Sequence, residues 1–114
     1  MATIDEFRKL EFRTAKIVKV DIHPNADRLF VVTVDLGTEQ RQVVAGIKAW
    51  YTPEALVGKT VIVVVNLEPA VLRGVTSNGM ILAASIPDPN TPGKPLEVVV
   101  LTPDKPVPPG CLIS

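Results

Sequence analysis

The sequence predicts an all-β fold, a small five-stranded barrel with short helices. Three observations carry that prediction. Valine-rich runs of strand length are punctuated by eleven prolines and seven glycines, the pattern of short strands joined by turns. The apolar residues of the first long run change parity midway, as a strand bent round a barrel does. A single strong helix start, Thr52-Pro53-Glu54, falls between the third and fourth runs.

Each element follows in order. Ile4–Leu10 forms a turn or two of helix capped by Thr3, with Phe7 and Leu10 pointing inward at i, i+3. Phe12–Ile22 is the first strand; Ala15 and Ile17 share one parity, whereas Val18, Val20 and Ile22 share the other. Such a switch needs a bulge or sharp bend. His23-Pro24-Asn25-Ala26-Asp27 is a turn. Strand two alternates Phe30, Val32, Val34 and Leu36 against Val31, Thr33 and Asp35, and Gly37 closes it. Gln40–Ala45 returns as a hairpin and ends at Gly46.

Within Lys48–Val57 the strand pattern stops, and a short helix with Thr52 as cap and Pro53 at its first position crosses one end of the barrel. Lys59–Leu67 is a continuous valine and isoleucine run, read as a strand buried on both faces. Pro69 breaks it. Arg73–Asn78 reads as a loop and Gly79–Ala84 as the fifth strand. Five strands with a helix between the third and fourth is the order of an OB-fold. The barrel core thus covers about residues 12–85 of a single domain spanning 1–114.

Beyond Ser85 the composition shifts. Pro87, Pro89, Pro92, Gly93 and Pro95 make an exposed loop, Leu96–Leu101 a further strand, and Pro103–Gly110 a second proline-rich stretch. This extension, about residues 86–114, exceeds what the barrel needs. Surplus β structure must pair somewhere, and a partner chain is the expected place, which makes a homodimer.

Composition bounds the function. A chain of 114 residues removes roughly two-thirds of its unfolded surface from water, enough for a core without metal or disulfide. Its hydrophobic fraction of 46% and charged fraction of 21% are those of an ordinary globule. The longest apolar run, near Val61–Val65, falls far short of the ~20 residues that cross a bilayer. Met1–Asp5 does not open a secretory signal, and the lone Cys111 excludes an internal disulfide framework. These features point to the cytoplasm. Twelve basic residues balance twelve acidic ones, whereas most nucleic-acid binders are clearly basic. Arg8, Lys9, Arg13, Lys16, Lys19 and Arg28 crowd the first thirty positions beside five acids, so any cationic patch must come from folding.

Catalysis finds no footing. There is one His, ahead of Pro24, and one Cys near the C-terminus. No His, Cys or carboxylate cluster has metal-ligand spacing, and no glycine-rich loop leads into a helix. Neither a metal nor a cofactor is expected, and the chain is not read as an enzyme.

Two segments are chemically richer: His23–Arg28 between strands one and two, and Arg73–Met80 between strands four and five. In an OB-fold these flank the face that receives oligonucleotides. Arg suits phosphate, and Asn, Ser and Thr suit ribose hydroxyls or base edges. A bland reading stands beside this one. Turn chemistry alone accounts for Pro24, Asn25 and Asp27; backbone conformation accounts for Gly74 and Gly79, and core filling for Met80. Arg73 and Thr76-Ser77-Asn78 resist it. Stacking platforms are scarce, because Phe7, Phe12 and Phe30 read as core and Trp50 and Tyr51 as packing for the short helix. Recognition of a folded RNA by backbone and shape fits better.

The chain resembles the tRNA-binding domain found at the C-terminus of many bacterial methionyl-tRNA synthetases, in free-standing dimeric tRNA-binding proteins and in eukaryotic synthetase cofactors. The likeness rests on Phe12–Val18, His23-Pro24-Asn25-Ala26-Asp27-Arg28-Leu29, Val34–Gly37, Arg41–Ile47, Tyr51–Glu54, Leu56–Lys59, Asn66–Pro69, Leu72–Ala84 and Leu101–Gly110. It covers nearly the whole chain in register. It implies an OB-fold whose extra C-terminal part builds a two-fold dimer, and binding to the outer corner of tRNA by shape, with little sequence preference. It places RNA on the face carrying Asn25, Arg28, Arg73, Ser77 and Met80, with Lys16 and Lys48 as lesser candidates for phosphate. An aminoacyl-tRNA synthetase is an implied partner. The start at Met1, with a domain nearly filling the chain, favours a free-standing protein. Two departures stand out: the family often carries Lys where this chain has Glu68 and Val71, which implies weaker phosphate contacts. The runner-up is an export-related chaperone of the CsaA type, which shares this fold and dimer and binds peptides. That branch tends to lack the His-Pro-Asn-Ala-Asp turn and the Ser-x-Gly-Met loop, both present here.

Overall fold

The computed structural model describes residues 1–114. In chain order its elements are α1 (Ile4–Arg8), β1 (Phe12–Ile22), β2 (Phe30–Asp35), β3 (Gln40–Ala45), α2 (Pro53–Leu56) and β4 (Thr60–Val64). They continue with β5 (Ala70–Leu72), β6 (Val75–Ser77), β7 (Met80–Ile81), β8 (Ala83–Pro87), β9 (Pro95–Val100) and β10 (Leu112–Ile113). Antiparallel pairing in the order β3-β2-β1-β4-β7 curls into a nearly closed five-strand barrel of OB type.

The parity switch in β1 is a bulge. Ile17 faces Val34 but Lys19 faces Thr33, so Val18 is the extra residue. Ala15 and Ile17 point into the barrel before it and Val20 packs on the core after it, while Val18 and Ile22 stay exposed. β2 alternates as its sequence demands, with Phe30, Val32 and Val34 inside. In β4 the burial on both faces is incomplete: Val61, Val63 and Val64 are buried, but Thr60 and Ile62 only half so. Fourteen buried apolar residues make the core. Each fully buried valine contributes roughly 1.5–3 kcal/mol, which explains why disulfide support is unnecessary.

Other expectations need correction. α1 has a full capping box between Thr3 and Glu6, yet buries none of its residues. Phe7 and Leu10 remain 43% and 42% exposed, because the helix lies beside β10 rather than over the core. Phe7 stacks on Phe12 with centroids 5.4 Å apart. Residues 73–78 are not a loop; β5 and β6 form a hairpin there. The fifth strand is two pieces, since the chain leaves β4 at Leu82 and β8 turns to pair with β9.

The C-terminus also differs from expectation. β10 does not wait for another chain but pairs with β1, Phe12 facing Ile113 and Arg13 facing Leu112. The buried Thr14 holds this segment in four ways. Its backbone N–H donates to the Cys111 carbonyl at 2.9 Å, and its carbonyl accepts from Gly110 at 2.7 Å. Its hydroxyl donates to the Pro108 carbonyl at 2.8 Å and accepts from the Cys111 N–H at 2.9 Å. No helix is long and apolar enough to cross a membrane.

Candidate functional site

The turn after β1 and the tip of the β5–β6 hairpin meet, although 49 positions separate His23 from Leu72. His23 is only 3% exposed. Its Nδ1 accepts the Asn25 backbone N–H at 3.0 Å, and its Nε2 lies 2.9 Å from the Leu72 carbonyl oxygen. A nitrogen that accepts carries no proton, and one facing a carbonyl must donate, so the ring is the neutral Nε2–H tautomer. Beside it, Asn25 Nδ2 donates to the Arg73 carbonyl at 3.4 Å.

The hairpin tip carries its own signal. Arg73 has φ +53° and Gly74 φ +87°, the two positive values that a type I′ turn requires. For a non-glycine residue that conformation costs roughly 1–2 kcal/mol. Arginine here is unfavourable for the fold, and the turn holds it outward in an exposed position. Asn25, Ala26, Asp27, Arg28, Leu29 and Arg73 line one shallow cleft of about 410 Å³.

Charge pairing singles out the same place. Of the five arginines, Arg8, Arg13 and Arg41 each lie within 4 Å of a carboxylate, on Asp5, Glu11 and Glu39 respectively. Arg28 and Arg73 have no such partner and are the two arginines at this cleft. Asp27 lies on its lining and tempers the cationic field.

The remaining predicted residues scatter. Met80 is half-exposed and lines a separate apolar groove with Val44–Ile47, Ile81–Ala83 and Val98. Lys48 comes three residues after Ala45, the end of β3 that faces Phe30, and is not among the residues lining the cleft. Lys16 lies six positions before Ile22, roughly 20 Å along β1 at the usual strand rise, and faces Asp35 and Thr60. The structure does not bring it to the cleft.

Ser77 is buried, and its hydroxyl is fully engaged: it accepts from the Val44 N–H at 2.8 Å and donates to the Gly79 carbonyl at 2.9 Å. With the Asn78 N–H donating to the Gln42 carbonyl at 2.8 Å, this closes the barrel between β3 and the strand opposite. Ser77 therefore shapes the hairpin base from inside. Ser77→Ala strands a buried N–H and is expected to cost about 1–3 kcal/mol in urea unfolding. A loss under about 0.5 kcal/mol would show that the seam does not depend on that hydroxyl.

Sequence reasoning missed two residues. His23 read as part of a turn, with no local sign of its ring bridging to Leu72. Gln42 Nε2 donates to the Thr76 carbonyl at 2.8 Å and ties the hairpin to β3, a contact no periodicity could reveal. The aromatics do more than pack α2: Trp50 Nε1 donates to the Leu96 carbonyl at 3.3 Å, and the Tyr51 hydroxyl accepts the Val100 N–H at 3.1 Å. Both clamp β9. No three His, Cys, Asp or Glu side chains gather closely enough to hold a metal ion.

Comparison with known proteins bears on the same region. The chain is 52% identical over 105 residues to the methionine–tRNA ligase of Thermococcus kodakarensis, covering 92% of this chain and 13% of that protein. The chain thus spans about an eighth of the length of that curated relative. A crystal structure of a MetRS related protein from Pyrococcus horikoshii superposes with TM-score 0.86 at 31% identity, covering 100% of this chain and 98% of that one. The chaperone CsaA from Bacillus anthracis superposes with TM-score 0.84 at 28% identity, covering 100% and 99%. The family described as "Putative tRNA binding domain" matches residues 12–111. With that match spanning both loops of the cleft, the chain belongs to the tRNA-binding domain family.

Proposed function

We propose that this chain binds transfer RNA by the shape of the folded molecule, with little sequence preference, through the cleft between the first turn and the hairpin tip. The observation carrying this reading is the convergence there of Arg28 and Arg73, the two arginines without a carboxylate partner. Guanidinium forks suit phosphate, and Asn25 adds an amide able to reach ribose or base edges. Lys48 supplies a further cation from outside the cleft lining. Ser77 acts by positioning the hairpin and Met80 by apolar contact at its base. Glu68 and Val71 are exposed near the hairpin, which keeps affinity moderate.

In this reading the chain supplies no chemistry of its own. It works in the cytoplasm, raising the local concentration of tRNA near an aminoacyl-tRNA synthetase or holding tRNA in its folded shape. Its state is a homodimer, supported by the exposed Ile86, Leu96, Leu101 and Leu112 of the C-terminal part, Leu96 and Leu112 each being 60% exposed. Sedimentation is expected to report twice the 12.3 kDa chain mass. A monomer at micromolar concentration would remove the dimer from this picture.

Binding through two phosphate-neutralising arginines predicts roughly a tenfold fall in affinity between about 50 and 200 mM salt. A flat response would overturn the reading. The same titration, run in competition, separates the chaperone alternative, which one observation favours: the apolar groove of about 310 Å³ between β3 and β7, eight of whose nine lining residues are hydrophobic. Folded tRNA is expected to compete better than heat-unfolded tRNA or an unfolded polypeptide. Displacement by the polypeptide alone would establish the chaperone reading instead.

A further inference from the structure

Three polar residues are buried in this protein, and each joins segments distant in sequence. Thr14 holds the C-terminal segment and Ser77 closes the barrel. Of these three, His23 is the one that joins the two halves of the cleft. Its ring spans them rigidly, with an acceptor on the Asn25 side and a donor on the Leu72 side. The neighbouring Asn25–Arg73 bond, at 3.4 Å, is at the limit of hydrogen-bond length and is too weak to set the hairpin alone.

We propose that His23 is a positioning residue for RNA binding: its ring fixes the hairpin tip bearing Arg73 against the turn bearing Asn25 and Arg28. The proposal rests on the reading above that this cleft receives RNA. Its physical content is preorganisation. Two arginines held at a set separation meet two phosphates without first ordering a loop, whereas an untethered hairpin must lose that freedom on binding. Imidazole suits the task because it is flat, stiff and carries donor and acceptor on opposite sides in one tautomer.

The two hydrogen bonds can be separated by substitution. An asparagine oxygen can accept from the N–H two residues on, so His23→Asn keeps the turn but is too short to reach Leu72. Glutamine is longer, and His23→Gln keeps a donor for the Leu72 carbonyl while giving up the bond to Asn25. The inter-loop tie, not the turn, is the element that couples Arg73 to the cleft.

The experiment measures tRNA affinity and thermal melting for H23N and H23Q, each with and without R73A. In folded H23N, affinity is expected to fall at least about fivefold, and adding R73A should then cost less than about twofold. In H23Q, affinity is expected within about twofold of the unsubstituted protein, with R73A still costing its full several-fold. A merely structural histidine would lower melting in both variants and leave the R73A factor unchanged in each. That additive result overturns the proposal. Should H23N not fold, H23A takes its place in the cycle: an R73A factor reduced below about twofold in folded H23A supports the tie, and a full several-fold factor there refutes it. If the unsubstituted protein does not bind tRNA, the site reading and this inference fall together. If it binds and the substitutions add independently, only the inference falls.

Discussion

Arg73→Asn is expected to weaken tRNA binding about tenfold while melting temperature holds or rises. The argument combines two terms of opposite sign. At φ +53° Arg73 occupies backbone space that asparagine tolerates far better, so the replacement relieves up to roughly 1 kcal/mol of strain in the free protein. The lost guanidinium removes a charge-assisted contact worth about 1.5–3 kcal/mol, near a factor of ten or more in affinity. No intramolecular ion pair is lost, since Arg73 has no carboxylate within 4 Å. Filter binding and differential scanning fluorimetry on the same preparation check both halves. The slope of log affinity against log salt should become shallower by about one. If stability and affinity fall together, Arg73 is structural and the RNA site lies elsewhere.

Gly110→Ala is expected to be the most damaging methyl addition in the C-terminal half, costing roughly 3 kcal/mol and about 10–20 °C in melting temperature. A Cβ at Gly110 would stand 2.3 Å from the Leu36 carbonyl oxygen, in a backbone with φ +84°. Gly110 is held on both sides: its N–H is bonded to the Thr14 carbonyl, and its carbonyl accepts from the Arg13 guanidinium at 2.8 Å. The segment must lift from β1, releasing the bonds that Thr14 makes to Pro108 and Cys111. Gly93→Ala is the internal control. It has nearly the same φ, +83°, but nothing within 4 Å of the added methyl, so it reports the backbone cost alone, about 1 kcal/mol. Equal losses in urea unfolding for the two variants would show that the close approach to Leu36 does not hold the C-terminal segment.

Much of this architecture was legible before any coordinates because it rests on local rules. The strand β2 alternates because every second side chain faces one way, and α2 starts where the Thr52 hydroxyl caps the Ala55 N–H with Pro53 at the first helical position. The β1 bulge announced itself as a change of parity between Ile17 and Val20. The β5–β6 hairpin did not, for a physical reason: its strands have three residues each, too few for alternation, and its turn carries Arg-Gly where Asn-Gly would have marked a type I′ turn. The inward placement of Phe7 and Leu10 failed because helix spacing says which residues share a face, not what that face meets. Two-residue β10 is below the length at which any pattern exists.

The candidate site divides the same way. Asn25, Arg28 and Arg73 were expected on the RNA face and line the cleft, whereas Lys16, a lesser candidate, lies far along β1. Ser77 looked like a ligand contact and is instead bonded inside the barrel seam. By itself, the order of residues determined the strands, the bulge, the helix start and the chemical character of the two turns. All of these depend on interactions within a few positions. Only the closed barrel decided that His23 reaches Leu72 and that Arg28 and Arg73, the two arginines with no acidic neighbour in ion-pair range, come to one cleft. Those facts depend on register between strands and on which distant groups come within hydrogen-bond range. Folding sets both, and no short stretch of chain contains them.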